Sequence, residues 1–133
     1  MKHTPALLAA VFALLLAACS SMPDSPGASY TPPAMPTKLV NGALVDNDGM
    51  TLYTFDKDAT PGKSACNDKC LFNWPAYFAT PDDTAKGDYT IFERDDGMTQ
   101  WAYKGKPLYY YEKDKKPGDR LGEAVANWKL AKP

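Results

Sequence analysis

From Lys38 onward, apolar and polar residues alternate in short runs, and most runs end at a glycine-containing turn. Alternation with a period of two is what a half-buried strand produces, because successive side chains leave the backbone on opposite faces. The runs cover residues 38–40, 43–46 and 51–56, then 89–94, 99–103 and 107–112. Between them stand Asn41-Gly42, Asn47-Asp48-Gly49, Asp95-Asp96-Gly97 and Lys104-Gly105. Asn-Gly and Asp-Gly accept the positive φ that tight hairpin turns need. The pattern predicts an all-β fold: two pseudo-symmetric three-stranded antiparallel meanders forming a small sandwich or barrel. Each meander is followed by a Pro-Gly loop and a tryptophan, Trp74 and then Trp128. A three-stranded sheet with one apolar face needs a partner, and the other meander is the obvious one.

The two halves are copies of one unit. Leu52-Tyr53-Thr54-Phe55-Asp56-Lys57-Asp58, then Pro61-Gly62, returns as Leu108-Tyr109-Tyr110-Tyr111-Glu112-Lys113-Asp114, then Pro117-Gly118. Repeat one spans about 38–78 and repeat two about 89–131, with the polar stretch 79–88 crossing between them. Such self-similarity means that one supersecondary unit was used twice. Parity puts Tyr53 and Phe55 on one face, with Tyr109 and Tyr111 in the same places, and Leu52, Thr54 and Asp56 on the other. Asp56 and Glu112 mark that second face as the wetter one, so the aromatics opposite are expected to be core. Leu52 and Leu108 fall on the charged side and are expected to lie under a loop. Tyr110 stands where repeat one has Thr54, on the wetter face, and is either a candidate for contact with a partner or a tyrosine packed beneath a neighbouring loop.

The segment before the alternation reads differently. Residues 6–18 are an unbroken apolar run, too short to span a bilayer as a helix but suited to a signal-peptide core. The run ends in Leu16-Ala17-Ala18-Cys19, which resembles the lipobox of bacterial lipoproteins. That resemblance implies a leader over 1–18, cleavage before Cys19, and acylation of Cys19 as a membrane anchor. More than one acyl chain makes such anchoring stable. Ser20 follows the cysteine, so the aspartate that favours inner-membrane retention is absent and the outer membrane is the expected location. Residues 19–36 then form a tether rich in proline and serine, a composition that cannot bury enough apolar surface to fold. The tandem-repeat domain occupies 37–133.

Charge removes some functional classes. Lys and Arg number 15 against 16 Asp and Glu, and loss of Lys2 with the leader brings the balance to −2. A near-neutral chain with no basic run gives no support for nucleic-acid binding and no obvious pull toward anionic lipid.

Candidate chemistry is sparse. Cys66 and Cys70 remain once Cys19 is acylated, and an exported compartment is oxidising, so they are expected to form a disulfide. Cysteines four apart on a regular helix sit too far apart for the bond, so a distorted turn is expected there. The rival is a redox or metal-handling site. The sole histidine, His3, lies in the leader, which leaves copper or zinc without imidazole and no metal or cofactor expected. Nucleophile schemes lack a base for the same reason, and no catalytic constellation emerges. The carboxylate pairs Asp82-Asp83 and Asp95-Asp96 sit in turn contexts. Asp46-Asn47-Asp48-Gly49 lacks the spacing of a calcium loop and reads as a hairpin turn. Asp58 and Asp114 recur in both copies, and the expectation is that each accepts backbone N–H groups in its loop.

The Tyr-x4-Asp pairs Tyr53…Asp58 and Tyr109…Asp114 carry a resemblance, together with Cys66-x3-Cys70-x3-Trp74-Pro75, Trp101-x-Tyr103-x-Gly105-x-Pro107-Leu108-Tyr109 and Pro117-Gly118-Asp119. With them the domain resembles the secreted-repeat lipoproteins of unknown function. The resemblance implies an exported, usually lipid-anchored tandem-repeat domain and supplies no catalytic residues. The expected role is a non-enzymatic binding or structural module with an envelope protein or glycan as partner. The alternative is a redox-linked or metal-handling accessory that uses Cys66 and Cys70.

Overall fold

The structure, a computed structural model, describes residues 34–133. The leader, Cys19 and most of the tether lie outside the described residues. Repeat one opens with the hairpin β1 (Lys38–Val40) and β2 (Ala43–Val45), followed by β3 (Tyr53–Phe55) and the short helix α1 (Cys70–Asn73). Repeat two contributes β4 (Tyr89–Glu93), β5 (Thr99–Tyr103), β6 (Lys106–Pro107), a 3-10 turn (Leu121–Ala124) and β7 (Trp128–Leu130). The turn residues act as the sequence requires. Asn41 and Gly42 have φ of 48° and 78°, and Lys104 and Gly105 have 48° and 80°, the two consecutive positive values of a type I′ hairpin.

The all-β, sandwich-like fold is the one expected, but its strands are exchanged. The sequence reading expects two three-stranded meanders packed as a small sandwich or barrel. Instead β3 pairs antiparallel with β7 of the other copy, Tyr53 opposite Leu130 and Phe55 opposite Trp128. The segment after Trp74 does the reciprocal job, with Tyr77 N donating to Leu108 O at 2.9 Å and Tyr110 N to Pro75 O at 2.7 Å. At the centre Tyr53 and Tyr109 exchange both backbone bonds, at 2.8 and 3.0 Å, which places the pseudo-two-fold axis between them. A three-stranded meander leaves the outer edge of its third strand unpaired. That edge is taken by the other copy's central strand at Tyr53 and Tyr109. The other copy's trailing segment continues the inner edge beyond β2, where Leu52 N donates to Leu44 O and Leu52 O accepts from Ala131 N, so neither repeat completes its sheet alone.

Exchange also corrects the assignment of faces. Both faces of the central strands are buried. One carries Tyr53, Tyr109, Trp74, Trp128 and Leu130, closed by loop residues Cys66, Leu71 and Val125. The other carries Leu52 and Leu108, each 0% exposed, closed by hairpin residues Leu44, Tyr89 and Trp101. The face read as wetter is therefore a second core, because hairpins of both copies cover it. Charge marks only the strand ends, where Asp56 is exposed.

Candidate functional site

The recurring motif residues meet across the axis rather than within a repeat. The Tyr53 hydroxyl donates to Asp114 Oδ2 at 2.6 Å, and the Tyr109 hydroxyl donates to Asp58 Oδ2 at 2.7 Å. The second oxygen of each aspartate accepts a loop N–H, as expected: Ala65 N reaches Asp58 Oδ1 at 2.6 Å and Leu121 N reaches Asp114 Oδ1 at 2.9 Å. Each carboxylate thus ties the loop of its own repeat to the central strand of the other. Burial raises both phenols above their ordinary range, and the Asp114 hydrogen bond adds to this at Tyr53. Burial likewise raises the Asp58 carboxyl, against the pull of Ala65 N–H and Tyr109. The clue in the sequence was that tyrosine and aspartate recur together; which tyrosine meets which aspartate depends on the exchange.

The axis also organises the aromatic core. Trp74 and Trp128 stack face to face with centroids 3.8 Å apart and planes 6° from parallel. Tyr111 stacks on Trp74 at 4.3 Å, and Phe55 stacks on Trp128 at 4.3 Å. Four rings thus form one column whose halves are contributed alternately by the two copies.

Cys66 and Cys70 form the expected disulfide, with Cα atoms 5.3 Å apart. The segment between them is a turn with Asp68 at φ 50°, and α1 begins only at Cys70. Cys66 is completely buried. Its loop is held by Arg94, which the sequence reading passed over. The Arg94 side chain is fully buried and donates to Ser64 Oγ (3.0 Å), Gln100 Oε1 (2.5 Å), Cys66 O (2.8 Å), Asn67 Oδ1 (3.1 Å) and Asp96 Oδ2 (3.1 Å). Gln100 in turn donates to Leu108 O at 2.7 Å. A guanidinium can be buried only when its five N–H donors find acceptors, and the disulfide loop supplies most of them. The sole hint was an arginine at the end of a strand, beside Asp95-Asp96.

Tyr110 is not the exposed side chain that parity suggested. It packs edge-on to Tyr77 and donates to Asp46 Oδ2 at 2.8 Å. Asp46 Oδ1 accepts from Asp48 N and Met50 N, both at 2.9 Å, so this carboxylate closes a hairpin turn as expected. The Asp82-Asp83 and Asp95-Asp96 pairs also serve turns: Asp83 accepts from Thr80 N and Asp96 from Met98 N.

The pseudo-two-fold axis relates two surface grooves of opposite character. One, of about 410 Å³, is lined by Tyr77, Phe78, Asp82 and Asp83. The other, of about 310 Å³, is lined by Thr54, Tyr103, Lys104, Lys106, Lys129 and Lys132, over Leu130 and Ala131. The axis equates Thr54 with Tyr110 and Ala131 with Tyr77, because Thr54 pairs with Lys129 as Tyr110 pairs with Pro75, and Ala131 N donates to Leu52 O as Tyr77 N donates to Leu108 O. Small residues thus stand in the lysine groove where the other side has two tyrosines.

Residues 41–77 and 90–132 match a family described as a secreted repeat of unknown function. Comparison with curated proteins and with solved structures gives no match.

Proposed function

The chain belongs to the family of secreted repeats of unknown function, and on that basis we propose that it is a lipid-anchored, non-enzymatic binding module of the bacterial envelope. Cys19 carries the acyl chains, residues 20–36 hold the domain off the membrane, and the outer membrane is its location. One observation above all supports a binding rather than a catalytic role: the recurring polar residues Tyr53, Asp58, Tyr109 and Asp114 are engaged with one another inside the fold. They build the scaffold. Function then belongs to surfaces where the copies differ, and the partner is an envelope component met there. The burial of Cys66 closes that sulfur to attack and leaves only the half-buried Cys70, which favours a structural disulfide over redox exchange.

The anchor is tested by fractionating cells that express the wild type and Cys19→Ala. The wild type should sediment with outer membranes and the variant should be released or left unprocessed. A variant that still sediments as a mature form in the outer membrane would overturn the anchor.

A further inference from the structure

Four lysines surround one concavity in a domain that is otherwise slightly acidic. They come from three separate places: Lys104 in the β5–β6 turn, Lys106 on β6, and Lys129 with Lys132 on and just after β7. Among the described residues, no aspartate or glutamate lines the groove. Lys129 reaches Asp56 outside it at 3.2 Å, and Lys104 lies over the Tyr103 ring at 5.3 Å. Among the described residues, Lys106 and Lys132 make no ion pair. All four lysines are exposed, so the core does not need them, and their mutual repulsion opposes folding.

The pseudo-symmetry explains how the two grooves differ. On the related side Tyr77 lines the larger groove, and Tyr110, edge-on to it, donates its hydroxyl to Asp46. Here Thr54 and Ala131 stand in the places of Tyr110 and Tyr77. The lysine groove, about 310 Å³, is at the lower end of the size of small-ligand sites. It has a hydroxyl, an aromatic wall and an apolar floor as well as its cations.

Resting on the binding-module reading, we propose that the groove formed by Lys104, Lys106, Lys129 and Lys132 binds phosphate-bearing anions. Several ammonium groups on flexible stems around one concavity can be drawn to a multiply charged phosphate as point charges. Low-dielectric walls focus that field. The phosphate could be that of a soluble ester or of a lipid headgroup, and the two sources are separable.

The mature protein, solubilised in nonionic detergent, is subjected to lysine acylation footprinting by mass spectrometry in three arms: with pyrophosphate, with micelles doped with phosphatidylglycerol, and with micelles doped with zwitterionic phosphatidylcholine. The expected result is selective protection of the four groove lysines, with Lys113 and Lys116 labelled as before. Protection by pyrophosphate assigns a soluble phosphate; protection by phosphatidylglycerol alone assigns the headgroup. Lys104→Glu/Lys132→Glu should weaken the interaction roughly tenfold, while Lys113→Glu/Lys116→Glu, with the same change in charge, should not. Absence of protection in every arm, equal protection by phosphatidylcholine, or equal loss in both double variants would overturn the proposal. None of these outcomes depends on Cys19, so failure here is distinct from failure of the anchor.

Discussion

The two copies solve one geometric problem by different means. In repeat two, Gly122 follows Leu121, whose N–H caps Asp114, and Gly122 N donates to the Tyr53 hydroxyl at 3.2 Å. A Cβ at this glycine would lie 2.8 Å from both the Trp74 and the Tyr53 rings, so no side chain fits. The corresponding residue of repeat one is Cys66, which follows Ala65, the residue that caps Asp58. There Ser64 stands between loop and phenol: its hydroxyl meets Tyr109 Oη at 2.7 Å and accepts from Cys66 N at 3.2 Å. The loop is displaced enough to hold a side chain, and it is fixed by a disulfide and by Arg94. The motif hydrogen bonds are therefore invariant between the copies, and the means of holding the loop is not. A duplicated unit can diverge at its supports once the contacts across the axis are secured.

The arginines give the largest test of this contrast. Arg94 runs from a repeat-two hairpin to the repeat-one loop; Arg120 runs the opposite way, donating to Val40 O at 2.9 Å and Asn41 O at 3.0 Å. Arg94→Met should destabilise the protein by about 3 kcal/mol, because Gln100 and the Cys66 carbonyl lose a buried donor. Arg120→Met should cost about 0.5 kcal/mol or less, since its acceptors face solvent. Urea unfolding with common slopes reads both, and equal losses would show that the two loops are held alike.

The phenols give the next test. Asp114 is buried and Asp58 only half-buried. Tyr53→Phe strands Asp114 and should cost about 2 kcal/mol, whereas Tyr109→Phe leaves Asp58 within reach of water and Ser64 bonded to Arg94, and should cost about 1 kcal/mol. The reverse order would mean that the Ser64 network, rather than burial, sets the energy.

Titration is expected to show the smallest difference between the copies, because both motif phenols are shifted the same way. Burial pushes Tyr77 up to about 12 from an ordinary 10.0, and raises Tyr53, Tyr109 and Tyr110 as well. A raised acid pKa means that the folded state holds its proton more tightly than the unfolded chain. Stability is thus fully present below pH 10, where both states are protonated, and falls as pH rises through and beyond 10. Tyrosinate absorbance should appear together with the loss of near-ultraviolet circular dichroism. Ionisation of most tyrosines in a still-folded protein would contradict the burial of these hydroxyls.

Much of this was legible beforehand, and the limits have particular causes. The hairpins at Asn41-Gly42 and Lys104-Gly105 and the Cys66–Cys70 bridge were readable because each depends on neighbours in sequence. The face of Leu52, Leu108 and Tyr110 was read as the wetter one because charge at strand ends was used to judge a face that hairpins of both copies cover, although Leu52 and Leu108 are covered as expected. Arg94 escaped notice because its acceptors Ser64 and Cys66 lie 30 and 28 residues away. The basic groove was invisible to net charge, since Lys104 and Lys132 become neighbours only when β7 docks.

The sequence by itself determined the duplication, the β character, the positions of the turns and the oxidised cysteine pair. These follow from strand periodicity, from positive φ and from loop closure over a few residues. Only the tertiary structure decided that the copies exchange their last strands. In a duplicated chain a strand meets nearly the same chemistry in its own repeat and in the other, so local preference cannot choose between them. The pairing of β3 with β7 and the stacking of Trp74 on Trp128 record the choice. It fixes which tyrosine meets which aspartate, and it gathers four scattered lysines around one groove.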